Sequence, residues 1–479
     1  MNPRANNCKI LIVSPPLSRI RFNLSGIMPM QPLGIAALAG YLRKKGLDVE
    51  LLDSVALRHT TDQTLWEILK RNPQIVGFST TIFNIAHTHV IIRRLKEIRP
   101  EIKTVMGGYG VVFPPEMLGS KLEEIDFFIK GEGEEALWKL VCAIQGKADV
   151  AGVPGLIWRE NGRVRQNPPS PPLDPNSLPL PALDLLPKAP YSMHPPFNIK
   201  PPLCLVETAR GCGWQCNFCS LSRDLRQKSV ERVREEVAWA KRIFKAREVH
   251  FVDPTFTAGR KRLFELTAMI KKDFPGLAWS CKSRVDLLDY EAARRMAGAG
   301  CHIVSLGMES GSQKMLNAMN KAVTVEQSVR AVRALKKAGV RSLVYIMFGA
   351  PGETDQTVRQ TMDLLERIRP DYALFAGLMP DPLSALLRRK SSEGVLSQED
   401  VFNFYYNNSA AGTPLENDSF TEIPMADINR WVKDAYTSFY VNPRYMASRL
   451  FASKSLREIK NLAHGAIMLA KDALFPPGP

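Results

Sequence analysis

The sequence predicts an α/β protein in three parts: an N-terminal doubly wound domain, a partial (β/α)6 barrel and a C-terminal helical region. Three observations carry this. Short apolar runs alternate with helically spaced segments over residues 1–150 and again over 203–385, a proline-rich stretch over 151–202 separates the two series, and the alternation stops in residues 386–479. Alternating strand and helix signals argue for parallel sheets whose faces are covered by helices.

In the first series, Lys9-Ile-Leu-Ile-Val-Ser-Pro-Pro16 is an apolar run ended by prolines, as a buried parallel strand would be. Residues Leu33 to Lys45 keep helical spacing and stop at Gly46, before a second strand at Asp48–Asp53. Further strands are expected at Ile75–Ser79, Lys103–Met106 and Phe127–Ile129, with a helix around Val90 to Lys96. Ligands of such sheets bind beyond the carboxyl ends of the strands. Gly107 and Gly108 follow the fourth strand; they allow backbone to approach a flat ligand closely, or simply make a tight turn. His59, His87 and His89 are isolated, and single histidines are more often structural than ligating.

The run Asn167-Pro-Pro-Ser-Pro-Pro-Leu-Asp-Pro-Asn-Ser-Leu-Pro-Leu-Pro181 cannot hold a regular helix or central strand and reads as an interdomain connector laid over the surface. From there strands are expected at Leu203–Val206, Glu248–Val252, Ala278–Ser283, His302–Gly307, Ser342–Phe348 and Tyr372–Phe375, six units of an open barrel. The working residues of βα barrels lie at the C-terminal ends of their strands.

After the first of these strands comes Glu207-Thr-Ala-Arg-Gly-Cys-Gly-Trp-Gln-Cys-Asn-Phe-Cys-Ser220, which spaces Cys212, Cys216 and Cys219 as C-x3-C-x2-C. Three thiolates in one short loop can hold three irons of a four-iron cluster and leave the fourth open to a small molecule. A structural zinc site wants four ligands in paired spacing, whereas the nearest extra thiol, Cys204, lies inside the preceding apolar run and no histidine is close. A disulfide framework suits short secreted chains, and this one has 479 residues. Arg210-Gly211 before the triplet and Phe218 before its last cysteine argue against chance clustering. The other five cysteines, Cys8, Cys142, Cys204, Cys281 and Cys301, read as packing residues.

The triplet resembles the signature of the radical S-adenosylmethionine (SAM) enzymes, and the surrounding chain resembles their subgroup with an N-terminal cobalamin-binding domain. The N-terminal likeness rests on Gln31-Pro-Leu-Gly-Ile-Ala-Ala-Leu-Ala-Gly-Tyr-Leu42, Gly107-Gly108 and Asp126-Phe-Phe-Ile-Lys-Gly-Glu-Gly-Glu134, and covers most of residues 9–140. It implies a Rossmann-like fold of the cobalamin-binding type. Domains that ligate cobalt through histidine carry Asp-x-His-x-x-Gly after the second strand; here the stretch reads Asp53-Ser-Val-Ala-Leu-Arg58 and supplies none.

In the barrel, the resemblance implies a [4Fe-4S] cluster on the three cysteines, whose open iron chelates the amino and carboxylate groups of SAM; the reduced cluster splits the sulfonium to a 5′-deoxyadenosyl radical. It further singles out Phe218 beside the cluster and Asp253 in His250-Phe-Val-Asp-Pro-Thr-Phe256, which would bond the ligand or cap the next helix. Arg284 in Lys282-Ser-Arg-Val-Asp286 is a partner for a carboxylate or one half of a solvated salt bridge. Glu309, in Ser305-Leu-Gly-Met-Glu-Ser-Gly311, is matched to the ribose or amino group of SAM, and Lys321 to its carboxylate. Phe348-Gly-Ala-Pro-Gly-Glu-Thr354 resembles the loop that approaches the adenine, with Glu353 as a cap for the next helix. The likeness fades at Leu378-Met-Pro-Asp-Pro-Leu-Ser-Ala385, so nothing is carried over there.

The activity implied is cobalamin-dependent methylation of an unactivated carbon, served by an electron donor such as flavodoxin or ferredoxin. The alternative is radical cyclisation, oxidation or carbon–carbon bond formation on a lipid, isoprenoid or porphyrin-like substrate. A net charge of +16 suits a polyanionic partner or an anionic membrane face, or merely solvates helix faces. Nucleic acid is not expected, because relatives that thiomethylate tRNA carry three cluster cysteines in the N-terminal domain, where this chain has Cys8 and Cys142. No stretch is apolar enough to span a bilayer and the N-terminus lacks an apolar signal core, which predicts a cytoplasmic protein. Ser455-Leu-Arg-Glu458 opens a final helix through Phe475 with Ile459, Leu462, Ala466, Leu469 and Ala473 on one face. That face would make a peripheral contact with the inner membrane face, form a lid, or pack ordinarily.

Overall fold

The computed structural model describes residues 8–17, 29–169, 171–189, 191–193, 197–379, 381–411 and 422–452. They divide into two compact units, one within 1–192 together with 397–415, the other within 193–396 together with 416–479.

In the first unit β1 (Ile10–Ser14), α1 (Leu33–Lys44), β2 (Val49–Asp53), α2 (Thr61–Arg71), β3 (Ile75–Thr80), α3 (Ile85–Ile98), β4 (Lys103–Gly108), α4 (Pro115–Lys121), β5 (Phe127–Ile129) and α5 (Gly133–Ile144) alternate as the apolar runs predict. The five strands are parallel in the order β2-β1-β3-β4-β5. Helices on both faces explain why β1 is apolar throughout: Ile10, Leu11, Ile12 and Val13 are all buried. The order reverses between β1 and β3, the switch point where doubly wound sheets open a crevice for ligands.

The stretch read as connector begins later than expected. β6 (Leu156–Glu160) and β7 (Arg163–Gln166) form a hairpin that extends the same sheet antiparallel to β5. Its turn is Asn161-Gly162, both with positive φ (50° and 76°), the two-residue geometry that suits the twist of a hairpin. The proline-rich chain beyond it is pinned, as Ala182 N donates to Ala36 O at 2.8 Å and Leu178, Ala182, Leu183 and Leu186 are buried.

The second unit contains β8 (Leu203–Val206), the short pair β9 (Ala209–Arg210) and β10 (Arg226–Gln227), α6 (Val230–Phe244), β11 (Glu248–Phe251), α7 (Arg260–Asp273), β12 (Ala278–Arg284), α8 (Tyr290–Gly298), β13 (Cys301–Glu309), α9 (Gln313–Ala318), α10 (Val325–Ala338), β14 (Arg341–Phe348), α11 (Asp355–Ile368), β15 (Tyr372–Gly377) and α12 (Ala385–Ser392). Six parallel strands follow one another as β8-β11-β12-β13-β14-β15. β8 and β15 do not pair, so the barrel wall is open and β15 is an edge.

Residues grouped by sequence into one C-terminal region serve both units. α13 (Gln398–Ala411) packs on α3 of the first unit, with Phe402 edge-on to Phe113 at 5.1 Å and Ser409 Oγ accepting from Ala86 N at 3.1 Å. α14 (Met425–Tyr440) and α15 (Pro443–Ala452) belong to the second unit. There Tyr440 Oη accepts from Ala373 N and donates to Ala373 O, and Tyr436 Oη accepts from Phe375 N. These hydroxyls occupy backbone groups that an edge strand would otherwise present to another chain. The final helix expected through Phe475 lies outside the described residues. Among those described, no helix is long and apolar enough to cross a membrane.

Candidate functional site

The cysteine loop leaves β8 through Thr208 and Ala209, and its entry is held by one buried carboxylate. Asp253 Oδ1 accepts from Thr208 N (2.6 Å) and Ala209 N (3.1 Å), while Oδ2 accepts from Thr208 Oγ1. Burial pushes its carboxyl up to about 6 against the pull of these hydrogen bonds. Asp253 therefore caps no helix; the N-cap of the next one, α7, is Gly259, and the carboxylate holds loop backbone instead.

Beyond that anchor the loop folds on itself. Gly211 has φ +80°, and a Cβ there would lie 2.1 Å from Asp224 O; Cys212 N donates to Ser222 O at 2.6 Å. The middle of the triplet is clamped to the chain after α9, for Asn217 N donates to Met319 O (3.1 Å), Asn217 Nδ2 to Ala318 O (2.6 Å) and Asn320 Nδ2 to Gln215 O (2.6 Å). Phe218 packs on the apolar cluster of Met315, Met319, Ala350, Leu378 and Leu386. Cys212 and Cys216 are half-buried and Cys219 is exposed. Burial pushes the Cys216 thiol up, while Lys321 and Arg284 draw it down.

Those two cations belong to a constellation at the ends of β12 and β13. Glu309 stands at the last position of β13 in the left-handed region (φ +63°), just after a register shift between Gly307 and Glu309. Its Oε1 lies 2.6 Å from Lys321 Nζ, and both side chains are buried. Arg284 is also buried: Nε donates to Asp286 Oδ1 at 2.9 Å, Nη2 to Lys321 O at 2.8 Å, and its guanidinium lies 4.8 Å from the Trp214 ring of the cysteine loop. The structure thus brings together Cys216, Arg284, Glu309 and Lys321. A carboxylate and an ammonium side by side can receive the ammonium and carboxylate of an amino-acid zwitterion.

The turn after β14 is braced from within. Glu353 Oε2 accepts from Gly349 N at 2.5 Å and Ala350 N at 3.3 Å, and burial pushes its carboxyl up to about 7. The expected cap of α11 is instead Thr354, whose side chain accepts from Thr357 N. Ile428 of α14 sits against both strand ends, since a Cβ on Gly349 would come within 2.6 Å of its Cδ1 and one on Gly377 within 3.0 Å of its Cγ2.

In the first unit, Gly107 and Gly108 are the last two residues of β4. They differ sharply: Gly108 has φ +84° and its Cβ would lie 2.6 Å from Thr80 O, while a Cβ on Gly107 would meet only Ile129 O at 3.8 Å. Gly108 is thus demanded by packing and Gly107 leaves open room. At the end of β2, Asp53 is buried, with Oδ2 accepting from Tyr191 Oη (3.0 Å) and Oδ1 from Ala56 N (3.2 Å). Of the histidines, His89 is engaged by Tyr406 Oη (2.7 Å) and Glu124 Oε2 (2.8 Å), and burial pushes His59 and His87 down.

Sequence reasoning gave no partner to Thr208, Trp214, Tyr191 or the tyrosines of α14. Trp214 lies within the triplet itself and could have been marked as the aromatic partner of a strand-end arginine. The others are long-range contacts with no local signal.

The donor chemistry fits an iron–sulfur cluster. Cys212, Cys216 and Cys219 carry free thiols on one loop, and cysteine thiolates are the ligands such clusters take. Comparison with known proteins gives concordant results. The family model described as the Radical SAM superfamily matches residues 206–365, and that of the B12 binding domain matches residues 28–141. An uncharacterized methyltransferase of Pyrococcus horikoshii is 32% identical over 92% of this chain and 95% of its own length. The anaerobic magnesium-protoporphyrin IX monomethyl ester cyclase of Rubrivivax gelatinosus is 30% identical over 83% of this chain and 72% of its own. The structure of a radical S-adenosylmethionine methyltransferase, TsrM, from Kitasatospora setae superimposes with a TM-score of 0.66 at 22% identity, covering 81% of this chain and 75% of the other.

Proposed function

Because the chain belongs to the radical SAM enzymes that carry a B12-binding domain, we propose that it methylates an unactivated carbon of a small-molecule substrate. The observation that supports this best is the adjacency of the cysteine loop to Arg284, Glu309 and Lys321 at the C-terminal ends of the barrel strands.

When bound, the [4Fe-4S] cluster and SAM supply a hydrogen-abstracting radical, and cobalamin supplies the methyl group. Cys212, Cys216 and Cys219 ligate the cluster. Asp253 positions their loop through Thr208 and Ala209, while Lys321 and Arg284 favour the thiolate of Cys216. Glu309 accepts from the amino group or ribose of SAM, and Lys321 donates to its carboxylate. Arg284, held by Asp286, adds positive charge on the same side. Phe218 keeps the cluster side of the loop packed against the turn after β14, where the adenine would lie. In the first unit Gly107 and Gly108 let backbone approach cobalamin at the end of β4. A flavodoxin or ferredoxin in the cytoplasm would deliver the electron.

The cyclase likeness favours a second reading, radical ring closure on a porphyrin-like or other hydrophobic substrate. Mass-spectrometric quantification of 5′-deoxyadenosine and S-adenosylhomocysteine, from anaerobically reconstituted protein with SAM and reductant, separates the two. Both products, with S-adenosylhomocysteine requiring cobalamin, are expected of methyl transfer; 5′-deoxyadenosine alone, indifferent to cobalamin, would move the assignment to the second reading.

A further inference from the structure

Along β12 the side chains alternate. Trp279, Cys281 and Ser283 are buried on one side, where Trp279 meets Phe251 and Phe256. Ser280, Lys282 and Arg284 face the other side, the inner face of the sheet. Ser280 Oγ bonds His250 Nδ1 at 2.8 Å, and the His250 ring meets Phe197, which packs with Ile303 and Leu343. Arg284 reaches the constellation beside the cysteine loop. Lys282 lies between these two levels, in register with Ser305 of β13, with Tyr345 of β14 one step further along, opposite Gly307.

Lys282 differs from the paired cations buried around it. Arg284 has Asp286, Lys321 has Glu309 and Lys228 has Glu236. The Lys282 ammonium donates no hydrogen bond and forms no ion pair among the described residues, and the residue is half-buried where those three are buried. Asp253 is near enough to be felt, but both its oxygens are taken by Thr208 and Ala209. Burial pushes the Lys282 ammonium down. Beside it, Ser305 Oγ is buried and has no partner in good hydrogen-bonding geometry, with the Tyr345 hydroxyl as its neighbour. One ammonium and two hydroxyls that can donate therefore adjoin one another, and the ammonium has no carboxylate in ion-pair contact. An ammonium partly withdrawn from water without an ion pair is stabilised by an anion, and the orphaned Ser305 hydroxyl beside it offers that anion a hydrogen bond.

We propose that Lys282, with Ser305 and Tyr345, forms the anion-binding end of the substrate site and takes a carboxylate, phosphate or phosphonate group of the substrate. This rests on the reading that the inner face of the second unit's sheet holds the substrate. It places an oxyanion one strand step below Arg284, so that the carbon to be attacked lies between that group and the cluster.

The test is thermal unfolding of the reconstituted protein with SAM, wild type against Lys282→Met, titrated with methylphosphonate, with acetate and with neutral acetamide. In the wild type the midpoint should rise saturably with the two anions and not with acetamide, as binding to the folded state requires. Lys282→Met should start at a higher midpoint, having lost an unpaired and partly desolvated charge, and should not respond. An equal response in both proteins, none in the wild type, or a lower starting midpoint in the variant would overturn the proposal; should Lys282→Met not fold, Lys282→Gln takes its place with the same criteria. Iron content and 5′-deoxyadenosine formation are measured alongside. Their absence in the wild type would defeat the radical reading, whereas the anion response decides the role of Lys282.

Discussion

Glu309 and Lys321 meet at 2.6 Å over a glycine that exists to make room for them. A Cβ on Gly307 would lie 2.6 Å from Glu309 Oε1 and 2.9 Å from Lys321 Nζ. The pair is buried, so removing one partner strands the other: Lys321→Ala should destabilise the second unit by about 3–5 kcal/mol. Gly307→Ala is the gentler probe, because the added methyl displaces only side-chain ends. It should fold and retain iron yet bind SAM at least ~10-fold more weakly, about 1.4 kcal/mol, in equilibrium dialysis. Unchanged SAM affinity would mean that the polar end of SAM sits elsewhere.

Asp253 reaches the chemistry only through backbone. Asp253→Ala would leave the Thr208 and Ala209 amides buried without their acceptor, a loss of about 2–3 kcal/mol for bonds to a charged group. The expected signature is a drop in iron content and in cluster absorbance after reconstitution, with Asp253→Asn intermediate because its carbonyl still accepts from one side. A variant that unfolds more easily yet holds full iron would reduce Asp253 to general packing.

Glu353 gives a pH signature. Its carboxyl is raised from the ordinary 4.5 to about 7, so between those values the folded chain holds a proton that the unfolded chain has released. Stability then falls as pH rises through that window, by about 3 kcal/mol, and is level above it. Glu353→Gln keeps an acceptor for the Gly349 and Ala350 amides but cannot ionise, so its stability relative to wild type should grow across the window. Denaturant unfolding at either end of the window measures this, and parallel curves for the two proteins would refute the buried-carboxyl account.

The parts legible in the sequence were those with local causes. Apolar runs marked the strands of the first sheet because burial on both faces leaves no polar alternation, whereas β12 alternates through Ser280, Lys282 and Arg284; the triplet spacing carries its chemistry within a few residues. The hairpin at Asn161-Gly162 carries its own turn signal and was lost inside a proline-rich reading. Long-range contacts were not legible: nothing near Asp253 announces that it holds Thr208, and nothing in Tyr436 or Tyr440 announces an edge strand some sixty residues earlier. Glu309 and Lys321 were found through resemblance, and only the structure puts them in contact.

Gly107 and Gly108 were read as one signal and separate into two experiments. Gly108→Ala is strained twice, by its positive φ and by Thr80 O at 2.6 Å from the new Cβ, so the first unit should lose stability with or without cobalamin. Gly107→Ala meets no atom of the chain closer than Ile129 O at 3.8 Å, which is ordinary contact, so the fold should tolerate it. If cobalamin lies against β4 there, Gly107→Ala should leave the unfolding midpoint of the cobalamin-free protein in place and weaken cobalamin uptake, read from the visible absorbance retained after desalting. Full uptake by Gly107→Ala would move the cofactor away from this strand end. It would then have to lie nearer the β1–β3 switch point, where Asn84 Nδ2 donates to Pro15 O at 3.5 Å across the reversal in strand order.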